Sequence, residues 1–373
     1  MIQIRNLWCL LLLIESVAAS TSYFSKINYE EEENLLIEDF QKYFFDIILE
    51  LPFGTNKASD PLELVKKMKE KDFGQIVRWD GNVAGKTISI PQGRTATPVV
   101  QMHGMGDFAK NPSGMVPLAR AISNYLGGAY VLNVQIGNSS IADFFNGFIM
   151  NLDDQVDYFA NVVQEDRHLT NGFNAVGYSQ GNLVIRGYIE RYNNPPVLNF
   201  ISMHGPLAGV ASFPGCAIDK QVCVALDQLL GALAYTPAVQ KHLAQANYFR
   251  DPLMIPRYLS GDRFLVDINN EKSPETVNAT YSSNWASLHS LCLVKALGDT
   301  VVIPNDSEWL GFFKDGSLEE IWSYDTTPWY EEDYFGLKTL DLEKGNLYFN
   351  TTEGDHLDFS TDYLLELVGL YFQ

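Results

Sequence analysis

From Pro98 onward, short apolar runs alternate with segments whose apolar residues recur at helical spacing. The apolar runs predict strands at Val99–Met102, Tyr130–Ile136, Phe173–Val176 and Val197–Met203. The periodic segments predict helices over about Gly114–Leu126, Asp153–Asp166 and Asn182–Arg191. The strand pattern returns at Leu291–Leu297 and Leu347–Phe349, and a last helix is predicted over about Thr361–Tyr371. This order favours an α/β fold with a mostly parallel sheet flanked by helices.

Two regions depart from the alternation. Residues 205 to about 288 are dominated by helix-like segments, such as Leu226–Leu233 and Ala238–Tyr248. We interpret this region as an insertion over the carboxyl edge of the sheet, where open α/β sheets bind ligands. Residues 20–96 carry no catalytic constellation, although Ile88 and Ile90 fit one strand of a hairpin. They are predicted to be an N-terminal extension of unknown role, either a packed appendage or a propeptide, before a main domain at 97–373.

The N-terminus has the features of a secretory signal peptide over residues 1–19. Arg5 precedes the apolar run Leu7–Ile14, and Val17–Ala19 supplies small residues for cleavage. The run is too short to cross a bilayer. The alternative to a signal peptide is a buried first helix. No later segment is long and apolar enough, so no transmembrane segment is predicted.

The chain is strongly acidic. Its 46 Asp and Glu residues exceed its 26 Lys and Arg residues, giving a formal net charge of −20. Such a protein repels nucleic acid and anionic lipid headgroups, and we expect no nucleic-acid partner. The charge is milder in acid, where some carboxylates protonate, which fits an acidic organelle or the extracellular space.

The segment Gly177–Gly181 matches the pattern G-x-S-x-G of the α/β-hydrolase nucleophile elbow. It lies between a predicted strand and a predicted helix, as that turn requires. Ser179 is therefore the candidate nucleophile. A serine hydroxyl is a poor nucleophile until a neutral imidazole takes its proton, and a carboxylate must orient the imidazole.

Chain order selects the candidate base. In this fold the acid and then the histidine follow the serine, and four histidines remain after Ser179. His204 comes too early, His242 lies in a helical segment, and His289 just precedes a strand. His356 follows the last predicted strand, where the base is expected.

Asp299 is the favoured acid because it directly follows the predicted strand Leu291–Leu297. Side chains at the carboxyl ends of parallel strands collect in the site. Asp306 and Asp355 are the alternatives, and Asp267 is interpreted as a turn residue.

Two backbone amides are expected to stabilise the oxyanion. One belongs to Gln180, the residue after the nucleophile, and the other to Met105 in the glycine-containing loop His103–Gly106. We interpret His103 as a residue that packs this loop. Three cysteines of the mature chain have no matching His cluster, which does not suggest zinc. Neither a metal nor an organic cofactor is predicted.

The cysteines and sequons bear on the compartment. In an oxidising environment Cys216 and Cys223 are close enough in sequence to close a short loop, whereas Cys292 is expected to be a buried free thiol. Glycosylation sequons begin at Asn138, Asn278, Asn305 and Asn350, with Asn278 in the most polar surroundings.

Motifs along the whole main domain resemble those of the palmitoyl-protein thioesterases. The resemblance runs from about Thr97 to the C-terminus and rests on Met105–Asp107, Asn111–Pro112, Tyr130–Leu132, Gly177–Gly181, Val210–Cys216, Asp251–Pro252, Asp267–Asn269, Asp306–Trp309, Gly336–Lys338 and Thr352–Leu357. It implies a catalytic triad of Ser179, Asp299 and His356, and an oxyanion hole from Met105 and Gln180. It also implies a disulfide between Cys216 and Cys223, a glycan on Asn278 and a lysosomal location.

The function implied is hydrolysis of long-chain acyl thioesters on S-palmitoylated proteins or peptides, releasing the fatty acid through a serine acyl-enzyme. The acyl chain of such a substrate needs an apolar groove. Several apolar residues of the predicted insertion either line this groove or belong to the core: Leu226, Leu229, Leu230, Leu233, Tyr235 and Phe249. The chain departs from the family in lacking its other cysteine pairs and in having His204 where the family has a small residue. The alternatives are a secreted lipase or carboxylesterase acting on oxyesters and a catalytically silent lipid-binding relative.

Overall fold

The computed structural model describes residues 88–90, 96–212, 233–271 and 277–372. Their main sheet has the strand order β1-β3-β2-β4-β5-β6-β9. The strands are β1 Ile88–Ile90, β2 Val99–Met102, β3 Val131–Asn133, β4 Phe173–Tyr178, β5 Val197–Met203, β6 Ser290–Ala296 and β9 Leu347–Thr352. A separate hairpin pairs β7 Phe312–Phe313 with β8 Ile321–Trp322. Every neighbouring pair in the main sheet is parallel except β1, which runs antiparallel to β3.

The described α-helices are α1 Met115–Tyr125, α2 Ser140–Ile149, α3 Leu152–Glu165, α4 Gly181–Arg191, α5 Pro237–His242, α6 Ile255–Gly261, α7 Leu265–Ile268, α8 Ala279–Trp285, α9 Pro328–Glu331 and α10 Thr361–Tyr371. Short 3₁₀ helices cover Ala244–Tyr248, Asn305–Trp309 and Tyr324–Thr326, and a π-helical turn covers Thr339–Glu343. None of the helices in these described stretches has the length and apolar character needed to cross a bilayer.

The centre of the sheet is buried on both faces. All residues of β2, β4 and β6 are buried, as expected where helices cover both sides of a parallel sheet. One core cluster includes Phe173 of β4 with Phe159 of α3. A second cluster on the opposite face joins Val176 of the same strand to Leu364 and Leu367 of α10. Alternate residues of β4 thus face opposite layers.

The predicted α/β-hydrolase fold is confirmed, and the residues of β2, β5 and α10 coincide with the predicted segments. The helix α2 was not predicted. The predicted helix over Ala238–Tyr248 is wrong as a single element: it ends at His242 and resumes as a 3₁₀ helix, because Leu243 has extended backbone angles of φ −136° and ψ 110°.

The strand β1 shows that the sheet begins before residue 97. It forms the edge of the main sheet beside β3. The predicted signal peptide at 1–19, the rest of the extension and residues 213–232, which include Cys216, Cys223, Leu226, Leu229 and Leu230, lie outside the described residues.

The region between β5 and β6 is tied to the main domain by a buried arginine. Arg186 of α4 is fully buried and donates to the carbonyl of Leu207 at 2.5 Å and to Asn269 Oδ1 at 2.8 Å. Its Nε also donates to Glu190 at 2.8 Å, on the same helix. Because a buried guanidinium needs all these acceptors, the helix that follows Ser179 is fixed to the region between β5 and β6.

Candidate active site

Ser179 lies in the tight turn between β4 and α4. Its φ of 49° is in the left-handed region, and its N–H donates to the carbonyl of Met203 at 3.0 Å. A Cβ on Gly181 would lie 2.3 Å from the carbonyl oxygen of Met102, and one on Gly177 would lie 2.3 Å from Asn182 Oδ1. Only glycine allows these elements to approach so closely. The two glycines of the motif therefore let a strained serine sit at the edge of the sheet.

Three side chains from separate segments form a continuous hydrogen-bonded chain. His356 Nε2 lies 2.8 Å from Ser179 Oγ, and His356 Nδ1 lies 2.5 Å from Asp299 Oδ2. Asp299 follows β6, and His356 lies in the turn after β9. A carboxylate accepts from Nδ1–H, which leaves Nε2 free to take the serine proton. The structure thus brings together the three residues that the sequence predicted as a triad.

Asp299 is held as a carboxylate. Its Oδ1 accepts the N–H groups of Val301 at 2.7 Å and Val302 at 2.8 Å, while Oδ2 faces His356. Burial acts to raise its pKa, but hydrogen bonds from His356 and Glu308 outweigh burial and hold the pKa well below its usual range. The group that orients the imidazole is consequently ionised at any physiological pH.

The loop predicted to donate to the oxyanion runs against the nucleophile. A Cβ on Gly104 would lie 2.9 Å from Ser179 Cβ, so the loop backbone touches the serine. Within the described part of the chain, the N–H groups of Met105 and Gln180 donate to no protein acceptor. Two unpaired amides beside a nucleophile are what an oxyanion hole requires.

A buried ion pair supports this loop from behind. His103 Nε2 lies 2.9 Å from Asp143 Oδ1, and Nδ1 donates to the carbonyl of Gly104 at 2.9 Å. Burial acts against the charged imidazole, but the charge and hydrogen bond of Asp143 raise the pKa of His103 to about 9. Asp143 also accepts the N–H groups of Ala109 and Ile136, which joins α2 to the segments that follow β2 and β3. Sequence reasoning identified His103 as a loop residue but missed Asp143.

The region between β5 and β6 contributes side chains next to the oxyanion loop. Tyr248 donates to Gln180 Oε1 at 3.1 Å, and Gln180 Nε2 donates to the carbonyl of Gly147 at 2.9 Å. Gln245 Nε2 lies 2.6 Å from Met105 Sδ. Both residues that carry the candidate oxyanion amides are therefore contacted through their side chains by the 3₁₀ helix Ala244–Tyr248.

His204 lies next to the triad, although sequence reasoning set it aside as the base because it follows Ser179 too closely. It is fully buried, and its ring centre is 6.1 Å from that of His356. Its Nδ1 accepts the N–H of Leu357 at 2.8 Å, and Nε2 pairs with Thr352 Oγ1 at 2.9 Å. Burial first, and then the charge of His356, lower the pKa of His204 to about 4. Through these two hydrogen bonds, a neutral His204 holds the turn that carries His356 in place.

His204, Asp299 and His356 place one ligand atom each within 4.8 Å of the others, the spacing of a possible metal site. The nitrogens of His356 already bridge Asp299 and Ser179, and Nδ1 of His204 accepts a backbone N–H. To bind a metal ion through these nitrogens, His204 and His356 would have to give up these hydrogen bonds. The arrangement suits proton transfer along a hydrogen-bonded chain.

The rival acids take other roles. Asp306 pairs with Lys295 at 2.6 Å. Asp267, which was interpreted as a turn residue, lies in the short helix α7 and pairs with Arg191 at 2.9 Å. Asp355 accepts the N–H of Thr300 at 2.8 Å and so joins the loop after β6 to the turn after β9. Among the histidines that were set aside, His289 is exposed at the opposite, amino end of β6.

An aromatic cluster lies beside the oxyanion loop. Its buried members are Phe108, Ile141, Phe144 and Phe145, and Phe148 and Ile149 pack against them with part of their surface exposed. The ring of Phe148 lies 3.4 Å from where a Cβ on Gly106 would be. By contrast, Leu233, Tyr235 and Phe249, three of the residues considered for the groove, belong to the main core cluster.

The sequons differ in their surroundings. Asn138 and Asn278 are exposed. Asn305 Nδ2 donates to the carbonyl of Ala296 at 3.0 Å, and Asn350 Nδ2 donates to Tyr371 at 3.1 Å. Since a glycan is attached through this nitrogen, the structure favours Asn138 and Asn278.

Cys292 is fully buried in β6. Burial raises the pKa of its thiol to about 12, and Asn350 Nδ2 donates to its Sγ at 3.3 Å. A thiol in this position is inert, because the thiolate is the reactive form.

Comparison with known proteins identifies relatives along most of the chain. The family model described as Palmitoyl protein thioesterase matches residues 98–356. Palmitoyl-protein thioesterase 1 of Caenorhabditis elegans is 38% identical over 76% of this chain and 96% of its own length. Palmitoyl-protein thioesterase 3 of Dictyostelium discoideum is 40% identical over 70% of this chain and 85% of its own. A lysosomal thioesterase PPT2 homolog of Drosophila melanogaster is 30% identical over 67% of this chain and 82% of its own.

Proposed function

The chain belongs to the palmitoyl-protein thioesterase family, and from that premise we propose that it hydrolyses long-chain acyl thioesters on cysteines of proteins or peptides. The observation that carries the proposal is the Ser179–His356–Asp299 hydrogen-bonded chain beside two unpaired amides. The same Ser–His–Asp arrangement hydrolyses oxyesters in other enzymes. The choice of a thioester as the substrate therefore rests on the family and not on the triad.

In the first half-reaction His356 Nε2 takes the proton of Ser179 Oγ as the oxygen attacks the thioester carbonyl. The N–H groups of Met105 and Gln180 stabilise the oxyanion. The C–S bond then breaks, and the departing sulfur takes the proton from the imidazolium. Because a thiolate is a good leaving group, the main task of Asp299 is to hold the imidazole in its useful tautomer.

In the second half-reaction a water molecule replaces the thiol. His356 takes a proton from the water as its oxygen attacks the acyl carbonyl, and Ser179 leaves with that proton. The fatty acid is released. No step needs a metal or an organic cofactor, since each proton moves between the substrate, Ser179, His356 and water.

The acyl chain is proposed to lie against the aromatic cluster, with Phe148 as the nearest wall beside the oxyanion loop. Burying a methylene contributes about 0.8 kcal/mol, which is about fourfold in affinity. A sixteen-carbon chain is therefore favoured strongly over a short one, provided that most of its length is covered.

The decisive experiment compares acyl thioesters of increasing length with matched oxyesters, using the wild type and Ser179→Ala. We expect kcat/KM to rise with chain length up to palmitoyl, a clear preference for the thioester, and loss of turnover in the variant. A strong oxyester preference would assign the chain to the lipases. Absence of both turnover and an acyl adduct on Ser179 would indicate a silent lipid-binding relative.

We further propose entry into the secretory pathway and function in the lysosome. The signal-like N-terminus, the exposed sequons at Asn138 and Asn278 and the Drosophila relative described as lysosomal support this. Cys216 and Cys223 are proposed to be disulfide-bonded there. Peptide mapping of the secreted protein without reduction would detect the linked peptide, and glycosidase treatment would reveal glycans at the two asparagines.

A further inference from the structure

Glu308 is a completely buried acid behind the triad. It lies on the 3₁₀ helix Asn305–Trp309, and its Oε2 accepts the N–H of Ala296 at 2.6 Å. Its Oε1 is buried and finds no donor among the described residues. Asp299 bonds to the same residue, since its N–H donates to the carbonyl of Ala296 at 3.3 Å, and a side-chain hydrogen bond between the two carboxyl groups shifts the pKa of each. Two facing carboxyl groups can share a hydrogen bond only through a proton.

The surroundings decide which carboxyl group keeps that proton. Asp299 accepts two backbone N–H groups and faces His356, whereas Glu308 accepts one backbone N–H. Burial chiefly, and then the hydrogen bond and charge of Asp299, raise the pKa of Glu308 to about 11. Lys295 acts in the opposite direction, but its ammonium group is paired with Asp306 at 2.6 Å.

We propose that Glu308 is a neutral carboxylic acid whose O–H donates to Asp299, so that a single negative charge, and not two, lies behind His356. This neutral donor stabilises the carboxylate of Asp299 and reduces its pull on the imidazole proton. Without it, His356 would hold its proton more firmly and would be an available base only at higher pH. Glu308 is thus a positioning residue that extends the activity of the site toward acid.

The groups that face this pair are few. His356 contacts Asp299 directly, and His204 and Asp355 interact with Asp299 through their charges. Lys295 is the cation that acts on Glu308. Since none of these is altered by a substitution at Glu308, a change in pH dependence reports on the carboxyl pair.

The test measures how fast a fluorophosphonate labels Ser179 as a function of pH. Glu308→Gln keeps a donor for Asp299 and an acceptor for Ala296, whereas Glu308→Met keeps the volume without the donor. We expect the acid limb to stay in place for Glu308→Gln, with rates within about fivefold of the wild type. For Glu308→Met we expect about a tenfold slower rate and an acid limb about half a pH unit higher.

Two results would overturn the proposal. A downward shift of the acid limb in Glu308→Gln would mean that the wild type carries a negative charge there. An unchanged limb in Glu308→Met would mean that the donor has no effect on the base. If Glu308→Met fails to fold, the infrared difference spectrum between wild type and Glu308→Gln at neutral pH provides the test. A carbonyl band of a protonated acid, present only in the wild type, would support the proposal, and its absence would mean that Glu308 is a carboxylate.

The inference rests on the proposed function only through the triad. Labelling by a fluorophosphonate requires an activated Ser179 but no recognition of an acyl thioester. Normal labelling without thioester turnover would therefore refute the proposed substrate and leave the role of Glu308 intact. Full thioesterase activity, together with a downward shift of the acid limb in Glu308→Gln, would support the proposed substrate and refute the role of Glu308.

Discussion

Replacing His204 with glycine would test how the turn that carries His356 is held in place. His204 directly follows β5, has a φ of 48° and is fully buried. Its ring accepts the N–H of Leu357 and pairs with the hydroxyl of Thr352, at 2.8 Å and 2.9 Å. His204→Gly removes both hydrogen bonds, which lowers the stability. Glycine also adopts the left-handed backbone without strain, which raises the stability.

The net effect at neutral pH is a loss of stability. Leaving the N–H of the half-buried Leu357 unpaired costs about 1–3 kcal/mol, and losing the hydrogen bond to Thr352 costs about 1 kcal/mol more. Relief of the left-handed strain returns about 1–2 kcal/mol. We therefore expect the free energy of unfolding to fall by about 1.5 kcal/mol at pH 7 in His204→Gly.

The difference between wild type and variant should shrink in acid. The folded state lowers the pKa of His204 from 6.5 to about 4. Below about pH 6.5 the unfolded wild type binds a proton that the folded protein resists, so its stability falls by about 1.4 kcal/mol per pH unit until about pH 4. The glycine variant lacks this group. The advantage of the wild type should consequently disappear between about pH 6 and pH 4.5.

Urea denaturation followed by tryptophan fluorescence measures this difference across the same pH range. His204→Asn is the matched control, because asparagine tolerates a left-handed backbone and does not titrate. It should show the same pH dependence as His204→Gly. A gap between wild type and His204→Gly that stays constant from neutral to acid pH would refute the assignment of a neutral, buried His204.

Three further substitutions probe the supports of the oxyanion loop and the acyl wall. Tyr248→Phe removes the hydrogen bond to Gln180 and should lower kcat about fivefold, with little change in KM, in steady-state thioester assays. Phe148→Ala should lower kcat/KM for palmitoyl thioesters at least about tenfold more than for butyryl thioesters, since only the long chain needs that wall. Asp143→Asn removes the carboxylate that keeps His103 protonated and leaves one of two backbone N–H groups without its acceptor, so it should lower the free energy of unfolding by about 3 kcal/mol, measured by urea denaturation. An equal fall in kcat/KM for both chain lengths would contradict the second expectation, and unchanged stability would contradict the third.

The sequence predicts those features that local patterns encode. Alternation of apolar runs with helical periodicity gives the parallel sheet, because both faces of a central strand such as β4 are apolar. The elbow at Ser179 is evident from its two glycines. Asp299 and His356 follow from chain order, because each comes directly after a strand whose carboxyl end faces the site.

The supporting polar groups are not encoded locally. Asp143 meets His103 across 40 residues, and His204 meets Leu357 across 153. A polar residue alone gives no sign of its partner, so these pairs emerge only when the strands are ordered. The helix α2 did carry a signal, since Ser139 caps it by accepting the N–H of Ala142.

The protonation states of the groups that support the triad are compatible with the proposed function in an acidic compartment. His103 is charged and Glu308 neutral, with pKa values raised to about 9 and about 11, while the pKa of Asp299 is held well below its usual range. None of these three groups changes its charge between neutral pH and lysosomal acidity. His204, with a pKa lowered to about 4, is the support whose titration lies closest to that range. Among these supports, acid should therefore first release the turn that carries His356, before the oxyanion loop or Asp299 is disturbed.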